Sequence, residues 1–281
     1  MHNVPAQDGD LVIDWGKTSS DYSVYRAGPP VGFYERLAAL GVGLPGQKIL
    51  DLGTGTGVLA RQFARQGARV SGIDISHQQI AAARALAAEE NLDVEFVVGR
   101  AESLPWPTGT FDIATANQCW LYFDKPQTIG ELRRVLKPGV RGRKTRPQLG
   151  AGGWLVTSHL SWLPRLDAIA RKSEALVLQF NPEWSAGDWS GEIPDCPEWA
   201  EPYFDVRAKF VYDEPIPFTR ETWRGRIRAC RGIGATLPPE KVAEFDAAHE
   251  ELLKKIATDS FTVLHRIDAH VFEFKEVSIR Q

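Results

Sequence analysis

The sequence predicts an α/β fold in which helices cover both faces of a mainly parallel sheet. Three observations lead to this prediction. The apolar run 48–52 ends at a glycine-rich turn that leads into a helical pattern, and a second apolar run, 69–73, ends at Asp74. Strand-like and helix-like segments then alternate along residues 31–160. Such alternation is typical of parallel sheets that are buried on both faces.

The elements of this region follow from local patterns. Short apolar runs predict five strands, at 48–52, 69–73, 94–98, 113–116 and 154–158. Helical spacing of apolar residues predicts four helices, at 31–40, 58–66, 76–90 and 125–136. Ser76 is expected to cap the third helix, because Gln79 three residues later completes a capping box. The many alanines of that helix favour the helical conformation.

The regular alternation of strands and helices ends after His159. Helices are predicted at 162–180, 219–230 and 238–256, and strands at 206–212 and 269–275. Residues 181–204 are rich in Pro, Gly, Trp and acids, and are expected to form a structured loop. We expect an N-terminal arm over 1–30, a core over 31–160, and a region over 161–281 that completes the sheet and inserts a helical cap. The basic segment within 138–153 is predicted to be a mobile loop.

The glycine-rich turn is the most informative stretch of the chain. It runs from Asp51 through Gly53 and Gly55 to Gly57. Glycine permits positive φ and lets a ligand approach the backbone closely. Asp74 stands at a strand end, where doubly wound sheets bind ligands and where an acid can accept hydrogen bonds from a ribose diol. The sequence therefore predicts a pocket for a nucleoside-like cofactor.

Two cofactors compete for this pocket. Residues 55–60 match a relaxed dinucleotide fingerprint with Asp74 as the distal acid, which would make the protein an NAD(P)-dependent oxidoreductase. Asp51 argues against that, because a carboxylate beside the turn would repel a pyrophosphate at the helix N-terminus. S-adenosylmethionine has an ammonium and a sulfonium but no phosphate, and would tolerate Asp51. A non-catalytic module that retains the cofactor-binding fold is a third alternative.

Further motifs resemble those of the class I S-adenosylmethionine-dependent methyltransferases. Residues 51–57 resemble the first motif of that family, and Asp74 resembles its ribose-binding acid. The segments 99–106, 111–118 and 132–139 are similar to the G-D-A-E-x-L-P-F stretch, the fourth strand with its loop, and L-x-R-V-L-K-P-G-G. Residues 117–120 and the C-terminal layout look most similar to small-molecule enzymes of the trans-aconitate methyltransferase type.

The resemblance implies a Rossmann-like, seven-stranded, mainly parallel sheet with an antiparallel last strand, and a C-terminal helical cap over the substrate. It implies methyl transfer to a small molecule, with S-adenosylhomocysteine as the product, mainly by proximity and alignment. The cofactor-binding residues it implies are Tyr22, Arg26, Asp51, Gly53, Thr54, Gly55, Asp74, Ile75, Ala101, Glu102, Asn117 and Gln118. Among them, Arg26 would pair with the cofactor's carboxylate, and Asn117 and Gln118 would lie near its amino or methyl group.

Three positions depart from the family pattern. Arg100 replaces the usual acid before Ala101, so contact with the adenine would fall to Glu102 or to backbone atoms. Tyr122 stands where the subgroup often has histidine. Residues 140–152 interrupt the Lys-Pro-Gly-Gly sequence.

The sequence does not identify a catalytic residue. Tyr122 and His159 follow the fourth and fifth strands, and either is a weak candidate for a general base. A base is needed only if the nucleophile arrives protonated. His265, Asp268 and His270 could suggest a metal, but histidines five residues apart on a strand point to opposite faces, so we predict no metal site.

Four arginines recur at helical spacing in the predicted helix 219–230. They are Arg220, Arg224, Arg228 and Arg231. A stripe of charge usually lies on a solvated face. We expect these arginines to pair with acidic side chains, and the acid-rich loop 181–204 is the partner that the sequence suggests.

The bulk composition excludes several classes of protein. A net charge of −3 gives no reason to expect a nucleic-acid partner. The three cysteines form no C-x-x-C pair, so neither a zinc site nor a disulfide framework is expected, and a cytoplasmic location is the default. Neither a signal peptide nor a run of 18 apolar residues is found, so no membrane partner is expected. The acceptor atom and the oligomeric state stay open.

Overall fold

The computed structural model describes residues 7–8, 11–18, 21, 24–25, 28–138 and 153–276. Contacts divide the chain into two compact units. The core unit comprises residues 28–159, 193–211 and 268–281, and the second unit comprises residues 1–27, 160–192 and 212–267. The predicted ligands Tyr22 and Arg26, and residues 139–152 of the predicted mobile loop, lie outside the described residues.

A seven-stranded sheet organises the chain. Its strands are β3 (Lys48–Leu52), β4 (Arg69–Asp74), β5 (Val94–Val98), β6 (Ile113–Asn117), β7 (Trp154–Trp162), β8 (Phe204–Thr219) and β9 (Ser260–Phe274). They lie in the order β5-β4-β3-β6-β7-β9-β8. The first five of these pair in parallel, and the final strands are antiparallel, which confirms the predicted fold class. A separate hairpin joins β1 (Gln7–Asp8) to β2 (Leu11–Val12).

Seven helices with described bounds accompany the sheet. They are α1 (Val31–Ala39), α2 (Val58–Arg65), α3 (His77–Glu89), α4 (Lys125–Val135), α5 (Ala168–Phe180), α6 (Arg220–Arg228) and α7 (Pro239–Ile256). Ser76 caps α3 as predicted, with its hydroxyl accepting a hydrogen bond from the Gln79 N–H at 3.3 Å. Thr219 caps α6 in a capping box with Thr222. Local polar residues therefore set where these helices begin.

Register places the carboxyl ends of the central strands together. Asp51 pairs with Thr115 across β3 and β6, and Asn117 pairs with Ser158 across β6 and β7. Behind this edge the core unit buries apolar side chains completely, including Leu50, Leu52 and Leu155. Burial of several such side chains, at roughly 1.5–3 kcal/mol each, fixes the strands that carry the polar edge.

The later strands and helix differ from the sequence prediction. The predicted helix 162–180 begins only at Ala168, because β7 continues to Trp162 and the Asp167 carboxylate caps α5 by accepting from two N–H groups. β8 is longer than predicted despite Pro215 and Pro217. It lies at the edge of the sheet, where a missing N–H is tolerated.

Helices α6 and α7 of the second unit are joined by ion pairs. Arg224 contacts Asp246 and Glu250 at 2.5 and 2.9 Å. Arg228 contacts Asp21 and Asp246 at 2.9 and 2.6 Å. The arginine stripe is therefore structural, as expected, but the predicted partner was wrong for these two arginines, whose acids come from α7 and Asp21.

Candidate functional site

The glycine turn after β3 adopts backbone angles that favour glycine. Gly53, Gly55 and Gly57 have φ of +56°, +54° and +75°. A Cβ on Gly57 would lie 2.7 Å from Phe96 Cζ, and one on Gly53 would lie 2.8 Å from Cys119 Cβ. The turn therefore needs glycine both for its conformation and for close packing against β5 and the loop after β6.

Replacing Gly57 by alanine is expected to lower the free energy of unfolding by about 2–4 kcal/mol. Left-handed strain on alanine costs about 1–2 kcal/mol, and displacement of the Phe96 ring adds a packing cost of similar size. Gly46→Ala is the matched control, since Gly46 has φ +80° with nothing within 4 Å of the added methyl. In urea unfolding, Gly46→Ala should lose only the free energy of unfolding that corresponds to the backbone strain. Equal losses in both variants would contradict the packing account.

Asp51 is buried inside the core unit. Its side chain is 2% exposed. One oxygen accepts a hydrogen bond from Thr54 Oγ1 and the other from Thr115 Oγ1, each at 2.6 Å. The predicted contact of this carboxylate with the cofactor stays a prediction. Asp51 ties the glycine turn to β6, and its enclosed charge does not choose between a pyrophosphate and a sulfonium.

Burial raises the pKa of Asp51 to about 6, although the two threonine hydrogen bonds act to lower it. The folded protein therefore keeps a proton that the unfolded chain releases near its usual value of 3.8. Because the unfolded state binds fewer protons in this window, the free energy of unfolding should fall as pH rises from about 4 to 6. At about 1.36 kcal/mol per pKa unit the fall is roughly 3 kcal/mol.

The Asp51→Asn variant is expected to show a smaller fall, because it removes one titrating group and leaves Asp74, whose pKa burial also raises. Thr115→Val is expected to extend the fall to higher pH, since the Thr115 hydrogen bond lowers the pKa of Asp51. Denaturant unfolding of both variants and the wild type between pH 4 and 7 measures the effect. A slope that is unchanged in Asp51→Asn would contradict the assignment.

Asp74 closes the other side of the turn at the carboxyl end of β4. Its Oδ2 accepts from the Gly55 N–H and its Oδ1 from the Ser76 N–H, each at 2.9 Å. Burial raises the pKa of Asp74, while these N–H groups act to lower it. Each carboxylate oxygen accepts more than one hydrogen bond, so both keep capacity for a ligand hydroxyl. The neighbouring Ile75 is 57% exposed and therefore offers an apolar surface beside the Asp74 carboxylate.

Ala101 and Glu102 lie in the segment after β5, and Glu102 contacts the start of α4. Ala101 is buried. Glu102 Oε1 accepts from the Asp124 N–H at 3.0 Å, and its other oxygen lies 3.4 Å from Arg100 Nε. Glu102 thus supports the loop that begins α4, and its predicted contact with adenine stays a prediction.

Asn117 and Gln118 end β6 beside β7. Asn117 Oδ1 accepts from Ser158 Oγ at 3.0 Å, and the Gln118 N–H donates to the Ser158 carbonyl at 2.9 Å. Gln118 has φ +59°, an uncommon conformation for a residue other than glycine. Such strain often marks functional positions, so the structure adds a signal that the sequence lacked.

His159 follows on β7 and contacts a residue that the sequence had connected only with a metal. His159 Nδ1 lies 3.0 Å from Asp268 Oδ2. The His159 side chain is 38% exposed, and that of Asp268 is fully buried. Tyr122, the other weak catalytic candidate, ends a short 3-10 helix at Trp120–Tyr122, and its role stays a prediction.

Neither a metal centre nor a membrane span is found among the described residues. Within them, no group of three or more His, Cys, Asp or Glu side chains is arranged to hold a metal ion. None of the helices found in these same ranges combines the length and apolar character of a membrane span.

The fold and the strand-end residues define a Rossmann-like unit of the kind that binds nucleosides at the carboxyl edge of its sheet. Comparison with known proteins specifies the class. Residues 49–139 match the family model of a methyltransferase domain. The chain therefore contains a class I S-adenosylmethionine-dependent methyltransferase domain. The more specific resemblance to the trans-aconitate type stays a prediction.

Individual relatives agree with this class. The demethylmenaquinone methyltransferase of Thermus thermophilus is 42% identical over 98 residues, which are 34% of this chain and 44% of that protein. The ubiquinone biosynthesis O-methyltransferase of Pectobacterium atrosepticum is 33% identical over 99 residues, which are 34% and 41% of the two chains. The matches thus span less than half the length of these two relatives.

A solved structure extends the likeness to most of the chain. Phosphoethanolamine N-methyltransferase 2 of Haemonchus contortus, crystallised with phosphomonomethylethanolamine and S-adenosylhomocysteine, superposes with a TM-score of 0.51 at 20% identity. The superposition covers 93% of this chain and 58% of that chain. At this identity the likeness shows the fold alone.

Proposed function

We propose that this protein transfers a methyl group from S-adenosylmethionine to a small-molecule acceptor. The observation that supports this most strongly is the arrangement at the end of β4. There, the Asp74 carboxylate accepts hydrogen bonds from the N–H groups of Gly55 and Ser76. Gly55 belongs to the glycine turn, which lies within the segment that matches the methyltransferase domain. Carboxylate oxygens beside a glycine turn suit the ribose and the amino-acid part of that donor.

The residues present fit this donor. Asp74 would accept hydrogen bonds from the ribose hydroxyls, and the exposed face of Ile75 would contact the adenine. The backbone from Gly53 to Gly55, kept rigid by the enclosed Asp51, would lie along the methionine part. Asn117 and Gln118, at the end of β6, would orient the donor and the acceptor. When bound, S-adenosylmethionine supplies a methyl carbon that its sulfonium already activates.

The acceptor is proposed to be a small molecule. The names of the relatives include a demethylmenaquinone methyltransferase, a ubiquinone biosynthesis O-methyltransferase and a sterol 24-C-methyltransferase. The comparisons give no support to an NAD(P)-dependent oxidoreductase. The family match, and not the charge of Asp51, decides between the two cofactors.

Calorimetric titration of the full chain tests the choice of cofactor. We expect S-adenosylmethionine and S-adenosylhomocysteine to bind and NADH to give no heat. Binding of NADH alone would support the oxidoreductase and overturn the proposal.

Turnover is tested separately with methyl-labelled S-adenosylmethionine and a fractionated small-molecule extract. We expect label to appear in an extractable product, identified by mass spectrometry. Tight binding of the donor without any labelled product from repeated extracts would favour the non-catalytic alternative.

A further inference from the structure

His159 and Asp268 form an isolated polar pair at the carboxyl edge of the sheet. They lie on β7 and β9, and both belong to the core unit. Their contact, Nδ1 to Oδ2 at 3.0 Å, is the one hydrogen bond that the Asp268 side chain makes within the described ranges. Its other oxygen, Oδ1, is buried and has no partner in that same part of the chain. The Asp268 side chain is fully buried, and the His159 side chain is 38% exposed.

Burial of the carboxylate constrains the imidazole. A buried charge is costly unless a donor compensates it, so Asp268 favours the state in which Nδ1 carries the proton and donates it. In neutral imidazole the other nitrogen, Nε2, then holds the lone pair. A partner carboxylate that fixes the tautomer in this way is how a histidine is prepared to accept a proton.

The position of the pair along the chain relates it to the proposed reaction. Ser158 is the residue before His159. Its carbonyl accepts a hydrogen bond from the Gln118 N–H, and its hydroxyl donates one to Asn117 Oδ1 at the end of β6. In open α/β sheets this edge is where ligands bind. The partly exposed imidazole therefore belongs to the same strand ends as the proposed donor and acceptor groups.

We infer that His159 is the general base of the methyl transfer, that Asp268 is its positioning residue, and that the acceptor atom arrives protonated, as the oxygen of a hydroxyl does. The inference rests on the proposed function. As the acceptor oxygen bonds to the methyl carbon, the C–S bond breaks with its electron pair going to sulfur. The O–H proton passes to His159 Nε2, and from the exposed imidazole it goes to solvent.

Other charged groups near the pair do not replace this role. His270 lies two residues along β9, and its Nε2 contacts the Pro194 carbonyl at 2.9 Å. Burial lowers the pKa of His270. Lys209 binds Asp195 and the carbonyls of residues 193 and 194. Asp268 is therefore the one carboxylate found in contact with His159 among the described side chains.

The test is a ¹⁵N–¹H spectrum of the full-length, ¹⁵N-histidine-labelled protein with saturating S-adenosylhomocysteine, with the His159 signals assigned from His159→Gln. We expect neutral His159 to carry its proton on Nδ1. In Asp268→Asn, the amide N–H can donate to Nδ1 and so place the proton on Nε2. We expect the ratio of the two tautomers to change at least tenfold, whereas His270→Gln should leave it unaltered.

Two results would overturn the inference. One is a wild-type His159 protonated on Nε2, and the other is a tautomer ratio in Asp268→Asn within twofold of the wild type. The wild-type spectrum decides the first even if the variant folds poorly. Calorimetry separates this inference from the proposed function: donor binding with the wrong tautomer rejects the base alone, whereas absence of donor binding rejects the methyl transfer itself.

Discussion

Asp74→Ala is expected to weaken S-adenosylmethionine binding by about 10²-fold or more. Hydrogen bonds to a charged group contribute about 1.5–3 kcal/mol each, so loss of two bonds to a ribose diol corresponds to this range. The substitution also leaves the N–H groups of Gly55 and Ser76 without their acceptor, which loosens the turn on which the donor would lie. Titration calorimetry at fixed pH and salt measures the dissociation constant directly.

Asp112→Asn is the matched control for this loss. Asp112 also accepts from a backbone N–H, that of Lys48 at 2.8 Å, and pairs with Lys137, but it precedes β6 and so lies at the opposite edge of the sheet. We expect its affinity for the donor to match the wild type. Binding by Asp74→Ala within threefold of the wild type would show that the ribose acid lies elsewhere.

The fold of residues 31–160 could be predicted because its signals are local. Each strand is a short apolar run, and two of the four helices begin at a capping side chain, Ser76 or Asp124. The glycines at 53, 55 and 57 indicate a backbone conformation that few other residues adopt. Asp74 could be placed at a strand end for the same reason. Its acceptance of the Gly55 and Ser76 N–H groups follows from the geometry of that turn.

The environment of Asp51 could not be predicted, because it depends on the register between strands. Thr115 lies on a different strand, and only the pairing of β3 with β6 sets it opposite Asp51. From the sequence, an acid before a glycine turn looks like a ligand of the cofactor. Its burial and the hydrogen bonds from two threonine hydroxyls show that it also holds the turn against β6.

Asp268 was missed as a partner of His159 because the last strand was predicted too short. The predicted strand 269–275 excludes it, whereas β9 extends from Ser260 to Phe274. Residues 267–272 are buried on both faces, so the strand lacks the alternation by which half-buried strands are found. The contact also joins positions 109 residues apart, which no local pattern reveals.

His159→Gln is expected to lower kcat by about 10²–10⁴-fold, the usual contribution of a general base. The dissociation constant for S-adenosylmethionine should be unchanged, because no donor contact is assigned to the imidazole. Methyl-labelled turnover of the acceptor found by screening measures kcat, and titration calorimetry measures the dissociation constant.

Asp268→Asn is expected to lower kcat by as much as His159→Gln or by less, because Asp268 acts through the imidazole. Its dissociation constant for S-adenosylmethionine should also be unchanged. His270→Gln is the control on the same strand and should keep kcat within a few-fold of the wild type. A change in KM alone in His159→Gln would assign the imidazole to acceptor binding. An unaltered kcat in His159→Gln would mean that proton removal is left to solvent or that the acceptor arrives deprotonated. The assignment of His159 as the general base would then be wrong.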